Sequence, residues 1–286
     1  MIRCQPALGT YVEIGAYASA PEIEPTIEAQ LHQTIDAAFT AIHTVQHCMS
    51  VFDRQSDLSR INRGDFLNKK GKVHPWLWEV LSLSKKIHSI SSDFDPCVGQ
   101  KLVDFGVRPR IETTNSAIAG SIDHVLLLED YCIQTTAAVY IDLGGIAKGA
   151  AVDRAIEVLQ THGVHSGCVN AGGDLRVFGP NPNNIYVRNP SAPQQTRLIG
   201  TLQDGAMASS GDYFVAQRNT SAVQTGHLID PKIGLPISTQ QSFSVLASTC
   251  AVADALTKVY AITGDAHHPA MDYFDAHALE VPKWLS

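Results

Sequence analysis

The chain has 286 residues, of which 44% are hydrophobic and 17% charged, a composition typical of a folded globular protein. Its formal net charge of −7 argues against nucleic acid or an anionic membrane surface as a partner, and no run of Lys and Arg reverses this. No apolar stretch reaches the length of about 18 residues that a spanning helix needs, so the sequence predicts no membrane span.

The six cysteines are scattered and form no C-x-x-C pair, which argues against a zinc site and against a dense disulfide framework. The N-terminus shows no charged segment followed by an apolar one, so it does not read as a signal peptide. We therefore expect a cytoplasmic protein as the sequence is written, and a periplasmic one if a leader has been removed. The length suits one large domain, and we expect residues 1–286 to form it.

The first predicted elements are a strand and a long helix. Residues 8–14 alternate between apolar and polar and predict the strand, and residues 22–47 carry apolar side chains at helical spacing. Ser56 or Asp57 is suited to cap a short turn. Residues 75–90 predict a second helix, because a proline stands at its first position and apolar residues recur along one face.

The second half of the chain alternates strands and helices. Residues 125–134 predict a hairpin, and the β-branched and aromatic residues of 139–143 predict a buried strand. A helix is expected from Ala147 onward, and another over residues 251–263. Further strands are expected at residues 164–169, 185–188, 197–202 and 243–246.

Gly144 and Gly145 join the predicted strand 139–143 to the helix that follows. A glycine turn leading into a helix N-terminus favours phosphate, because free N–H groups and the helix dipole point at the ligand. Lys148 lies in the first turn, where a cation gains nothing from the dipole, and an anionic ligand would account for it. Neither G-x-x-x-x-G-K-[ST] nor G-x-G-x-x-G is present. The alternative is a strand–helix corner whose glycines serve packing alone.

Short motifs recur along nearly the whole chain. They lie at residues 8–10 (LGT), 49–62 (MS, then S-x-L-S-x-x-N), 94–102 (FDPxVGxxL), 141–153 (IDLGGIAKGxxVD), 170–174 (NAGGD), 209–213 (SSGDY) and 227–236 (HxIDPxxGxP). Taken together and in this order, they resemble the ApbE family, the FAD:protein FMN transferases. Any one motif is weak evidence, and the ordered set is strong.

The resemblance implies an α+β fold in which mixed or antiparallel sheets are covered by helices, with an FAD cleft between two lobes of a single domain. It implies transfer of FMN from FAD to a Thr or Ser hydroxyl of an acceptor flavoprotein, with release of AMP. Two alternatives stay open. The chain could bind or hydrolyse FAD without transferring FMN, or it could be a partner-binding protein that keeps only the scaffold.

The resemblance also implies site residues. His227 is the candidate base, because the pKa of histidine lies near working pH. On the residues alone, a satisfied strand histidine is the commoner interpretation. The implied FAD-binding residues are Met49, Ser50, Phe52, Asp95, Gly145, Lys148, Asp153, Gly172, Gly173, Asp174, Ser209, Ser210, Gly211, Asp212, His227, Ile229 and Asp230.

A Mg²⁺ ion is implied by the same resemblance, bound by the backbone of Gly145, by Asp254 as a catalytic ligand, and by a Thr four residues later. This sequence departs from that pattern, because Lys258 occupies the later position and Thr257 comes one residue early. Asp254 and Lys258 could form a helix ion pair of little consequence. Otherwise the ammonium group lies where the cation would be, and either Thr257 substitutes as a ligand or metal binding is weak or lost.

Overall fold

The computed structural model describes residues 1–17, 25–108, 110, 118, 120–189, 192, 194–211, 228–237 and 241–279. Its helices are α1 (Pro25–Met49), α2 (Asp57–Arg63), α3 (Pro75–Ile90), α4 (Gly99–Asp104), α5 (Ala147–Thr161), α6 (Cys250–Thr263) and α7 (Pro269–Tyr273), with a 3-10 turn at Ile122–His124. Its strands are β1 (Ile2–Ala7), β2 (Thr10–Tyr17), β3 (Gly71–Lys72), β4 (Val125–Leu128), β5 (Cys132–Thr135), β6 (Ser166–Ala171), β7 (Asp174–Phe178), β8 (Asn183–Arg188), β9 (Thr196–Leu202), β10 (Gly205–Ser210), β11 (Ile229–Asp230), β12 (Leu235–Pro236), β13 (Phe243–Ala247) and β14 (His277–Leu279).

The largest sheet is antiparallel and runs in the order β1-β2-β6-β7-β10-β13-β14. Helix α5 packs against β6 and β7, α6 packs against β10 and β13, and α1 covers α5. The main hydrophobic core fills the space between this sheet and its helices. Three smaller antiparallel sheets are also present among the described residues. The first has the strand order β3-β5-β4, the second pairs β8 with β9, and the third pairs β11 with β12. The α+β prediction is confirmed. Among the described residues, no helix combines the length and apolarity that crossing a membrane requires.

The first predicted strand is wrong at its start. Residues 2–7 form β1, and Leu8 and Gly9 form the turn into β2 with φ angles of 56° and 73°. Two successive residues with positive φ match the right-handed twist of a tight hairpin, which explains the glycine. The alternation of residues 8–14 therefore belongs to a strand only from Thr10 onward.

The predicted strand at residues 139–143 is not a strand. The segment is extended and buried, and no neighbouring strand pairs with it among the described residues. Its backbone is satisfied in two other ways: the side chain of Asn62 exchanges two hydrogen bonds with Ile141, and the backbone of residues 96–99 takes two more. Burial of polar backbone groups is tolerated here because each of these groups has a partner.

The helix predictions are confirmed, with boundaries within a few residues of α1, α3, α5 and α6. Ser56 caps α2, accepting a hydrogen bond of 2.9 Å from the backbone N–H of Ser59. This bond satisfies a donor that the helix start leaves open.

Candidate functional site

A cleft of about 1860 Å³ opens beside the sheet and the N-terminus of α5. It gathers residues from every motif segment except 49–62. Among the residues that the resemblance implies for FAD binding, those lining the cleft are Asp95, Gly145, Lys148, Gly172, Gly173, Asp174, Ser209, Ser210, Gly211 and Ile229. The fold therefore brings together residues that are more than a hundred positions apart in the chain.

The turn between β6 and β7 forms part of the cleft wall. Gly172 and Gly173 have φ angles of 68° and 107°, in the region that glycine adopts without strain. A Cβ atom on Gly172 would lie 2.6 Å from the hydroxyl oxygen of Thr10, so the motif at residues 8–10 packs directly on this turn. Asn170 accepts a hydrogen bond of 2.9 Å from the N–H of Gly173, which fixes the turn ahead of Asp174.

Lys148 is the centre of a buried ion-pair cluster. Its ammonium group contacts Asp174 and lies 3.6 Å from Oδ2 of Asp254. Asp174 is 2% exposed and Asp254 is fully buried. Asp254 also accepts a hydrogen bond of 3.2 Å from the N–H of Gly149, near the start of α5. The carboxylates of the protein itself therefore account for a cation in the first turn of this helix.

Burial and ion pairing shift the pKa values of this cluster. Burial raises the pKa of Asp174, although the ammonium groups of Lys148 and Lys258 oppose the shift. Burial alone would lower the pKa of Lys148, but the carboxylates of Asp174 and Asp254 outweigh it and raise that pKa. Burial alone would raise the pKa of Asp254, but the ammonium groups of Lys148 and Lys258 outweigh it and lower that pKa. The ion pairs therefore favour the charged forms of Lys148 and Asp254.

Lys258 lies one helical turn after Asp254 on α6. Its ammonium group contacts Oδ1 of Asp254 and donates a hydrogen bond of 3.0 Å to the hydroxyl oxygen of Thr257. The Lys258 side chain runs along Gly145, since a Cβ atom there would lie 3.2 Å from Cε of Lys258. Two of the residues implied as Mg²⁺ ligands, Asp254 and Thr257, thus contact the amino group of Lys258, and the third, Gly145, lies against its carbon chain.

These residues do not fit a divalent cation in this arrangement. The hydroxyl of Thr257 donates to the carbonyl of Asp254 at 2.7 Å and accepts from Lys258, so the ammonium group already occupies the side chain that would bind metal. Two unit charges about 4 Å apart interact by about 4 kcal/mol at an effective dielectric constant of about 20. A divalent cation next to this ammonium group would meet about twice that repulsion.

Several implied FAD-binding residues lie outside the cleft lining. Asp153 accepts hydrogen bonds of 2.9 Å from the N–H groups of Cys250 and Ala251 and one of 2.8 Å from Arg176. It therefore caps α6 from within α5. Burial raises the pKa of Asp153, although these hydrogen bonds oppose the shift. Asp230 accepts a hydrogen bond from the N–H of Lys232 and holds the turn between β11 and β12.

The segment after α1 contributes a turn and an exposed ring. Met49 is buried at the end of α1. The hydroxyl oxygen of Ser50 accepts hydrogen bonds from the N–H groups of Phe52 and Asp53. Phe52 is 70% exposed and does not line the cleft. Asp212 and His227 lie outside the described residues.

Arg108 is a cleft residue that the sequence did not reveal. Its Nε donates a hydrogen bond of 2.5 Å to Asp142, and its guanidinium carbon lies 5.6 Å from the centre of the Phe52 ring. Asp142 also accepts a hydrogen bond of 2.8 Å from the N–H of Gly144 and so shapes the glycine turn. Asp142 belongs to the longest motif, so its place in the sequence could have identified it as a site residue. Arg108 stands in no motif.

Known proteins resemble this chain over nearly its whole length. The sequence profile of the ApbE family matches residues 8–280. A relative from Vibrio cholerae, named FAD:protein FMN transferase, is 28% identical over 299 aligned positions that cover 97% of this chain and 84% of that protein. A relative of the same name from Chlamydia pneumoniae is 31% identical, and the alignment covers 93% of this chain and 85% of that protein.

Solved structures share the fold. The ApbE protein from Thermotoga maritima superposes with a TM-score of 0.77 at 26% identity, covering 97% of this chain and 93% of that one. The flavin transferase ApbE from Vibrio cholerae gives a TM-score of 0.75 at 25% identity, covering 97% and 92%.

Proposed function

Because this chain belongs to the ApbE family, we propose that it is an FAD:protein FMN transferase. The reaction moves FMN from FAD to a Thr or Ser hydroxyl of an acceptor flavoprotein and releases AMP. The observation that carries this proposal is one cleft, where residues of six of the seven motif segments meet around glycine turns and two lysines. Such a surface suits a diphosphate, since backbone N–H groups and ammonium groups both favour anionic oxygens.

The chemistry assigns roles to residues of this chain. Lys148 faces the cleft and can donate hydrogen bonds to the diphosphate. Asp254 contacts both lysine ammonium groups and so orients them. His227 is our proposed base for the acceptor hydroxyl, a role favoured by the position of Leu228, its neighbour in sequence, in the cleft lining. We assign no step to Mg²⁺, because the groups around Lys258 do not fit it.

The test uses an apo-flavoprotein subunit whose mature form carries FMN on a threonine through a phosphoester bond. The protein and FAD are incubated with this subunit, and flavin fluorescence of the subunit is read after denaturing electrophoresis. We expect a fluorescent band with the intact subunit and none when its acceptor threonine is replaced by alanine. AMP release without a fluorescent band would indicate a hydrolase, and FAD binding without AMP release would indicate a flavin-binding protein.

A further inference from the structure

We infer that the ammonium group of Lys258 takes the place of a divalent cation and binds the FAD diphosphate. This inference rests on the proposed function. It adds that a side chain of the protein, and not a bound metal ion, supplies the positive charge. The reaction then proceeds without a divalent metal.

The position of the ammonium group supports this assignment. Lys258 and Lys148 both line the cleft, and the side chain of Lys258 is 15% exposed, so it is neither sealed in the core nor free in solvent. A lysine ammonium has three N–H donors. Asp254 and Thr257 accept two of these donors. We assign the third to an oxygen of the diphosphate.

The charges at the cleft floor already balance. Asp174 and Asp254 supply two carboxylates, and Lys148 and Lys258 supply two ammonium groups. Without Lys258 the buried carboxylates would be undercompensated, a costly state that a bound cation would relieve. With Lys258 present, a further cation has no carboxylate left to neutralise at this position. The same contacts that hold Lys258 therefore exclude a metal.

The same bonds form and break in the transfer step whether a metal or Lys258 binds the diphosphate. The acceptor oxygen forms a bond to the phosphorus of the FMN half, and the bond from that phosphorus to the bridging oxygen breaks. AMP leaves with the bonding electrons, and the hydroxyl proton passes to the base. The ammonium groups donate hydrogen bonds to the phosphate oxygens and stabilise the charge that shifts onto AMP, the role that a cation otherwise plays.

The experiment measures metal binding, FAD binding and AMP release on three proteins: the wild type, Lys258→Thr, and Lys69→Thr as an exposed control. Mn²⁺ binding is followed by electron paramagnetic resonance, FAD binding by flavin fluorescence in EDTA, and AMP by chromatography. For the wild type we expect no Mn²⁺ site, FAD binding in EDTA, and AMP release that changes less than about 2-fold when Mg²⁺ replaces EDTA. Lys69→Thr should behave in the same way, because its side chain is exposed.

Lys258→Thr should gain a Mn²⁺ site, lose about 100-fold in AMP release in EDTA, and recover activity with Mg²⁺. A wild-type Mn²⁺ site, or wild-type FAD binding that EDTA abolishes, would overturn the inference. These two measurements on the wild type decide the inference even if Lys258→Thr fails to fold. If no protein releases AMP under any condition, the proposed function fails, while the Mn²⁺ and FAD measurements still decide what Lys258 does.

Discussion

The side chain of Asn62 and the backbone of Ile141 are joined by two hydrogen bonds across 79 positions of sequence. Nδ2 of Asn62 donates to the carbonyl of Ile141 at 2.9 Å, and the N–H of Ile141 donates to Oδ1 of Asn62 at 2.8 Å. Asn62 is 2% exposed and Ile141 is fully buried. The amide thus supplies what a neighbouring strand would, and it ties α2 to the segment that leads into the glycine turn.

Asn62→Ala leaves two buried backbone groups of Ile141 without partners. Each such group costs about 1–3 kcal/mol, so we expect the free energy of unfolding to fall by about 2–6 kcal/mol. Urea unfolding measures this change. Asn181→Ala, at an exposed loop position, should change it by less than about 0.5 kcal/mol. Equal effects from the two substitutions would show that the two hydrogen bonds between Asn62 and Ile141 do not stabilise the fold.

Gly145 and Gly149 lie four residues apart around the start of α5, and they differ in the space available for a Cβ atom. The substitutions Gly149→Ala and Gly145→Ala therefore provide a matched comparison. A Cβ atom on Gly149 would lie 2.3 Å from the carbonyl oxygen of Cys250, where backbone blocks it. On Gly145 it would lie 3.2 Å from the flexible side chain of Lys258. We expect thermal unfolding to show a loss of about 1–3 kcal/mol or more for Gly149→Ala and a clearly smaller loss for Gly145→Ala. The reverse order would contradict the described packing of α5 on α6.

Lys148→Met separates a binding role from a structural one. The substitution leaves Asp174 buried without its ion pair, so we expect stability to fall by about 3–5 kcal/mol and FAD affinity to fall at least about 10-fold. Adding Asp174→Asn removes the unpaired charge and should restore much of the stability but not the affinity. Urea unfolding and flavin fluorescence titration provide the two readings. Recovery of FAD affinity in the double variant would show that Lys148 does not bind the ligand.

Asp93 makes stability depend on pH. Burial alone would raise the pKa of its carboxyl group, but hydrogen bonds from Lys232 and Ser91 lower it overall. A lowered folded-state pKa stabilises the protein above the unfolded value of about 3.9, and this contribution is lost as the pH falls through the folded-state pKa. Asp93→Asn should therefore be less stable than the wild type near neutral pH.

The stability difference between Asp93→Asn and the wild type should narrow as the pH falls below about 4. Urea unfolding as a function of pH measures it. Asp272→Asn, on an exposed acid, is the control and should leave the pH profile unchanged. A difference that stays constant down to acid pH would mean that the ionised form of Asp93 gains nothing from its partners.

His227→Gln tests the proposed base. Loss of a positioned base reduces turnover by about 100- to 10,000-fold, whereas FAD binding through the diphosphate should be nearly unchanged. Steady-state AMP release and fluorescence titration measure the two effects. His43→Gln, at an exposed position of α1, is the matched control. Normal turnover in His227→Gln would remove the residue from the mechanism.

Local chemistry made much of the fold predictable. The helix over residues 75–90 was predictable because Pro75 fixes its start and one face is apolar. The segment at residues 139–143 was misread because burial alone produces the apolar pattern of a core strand. Its actual partners, Asn62 and residues 96–99, are distant in sequence.

The motifs predicted many of the cleft-lining residues, but segment 49–62 and Asp153 lie outside the cleft lining. Lys258 was recognisable as a departure in spacing, but its contact with Thr257 depends on how α6 presents both side chains. Arg108 could not be found, because its role comes from an ion pair with Asp142, which only the folded chain brings close. Asp153 fits the longest motif, yet its hydrogen bonds show that it caps α6.

The ratio of FMN attached to AMP released measures FMN transfer by this protein directly. The protein is incubated in EDTA with FAD and the apo-flavoprotein subunit, and the subunit is analysed by intact mass spectrometry while AMP is measured by chromatography. We predict one FMN on the acceptor threonine for each AMP formed. AMP in excess over attached FMN, or no attached FMN with EDTA and with Mg²⁺ alike, would contradict FMN transfer by this protein.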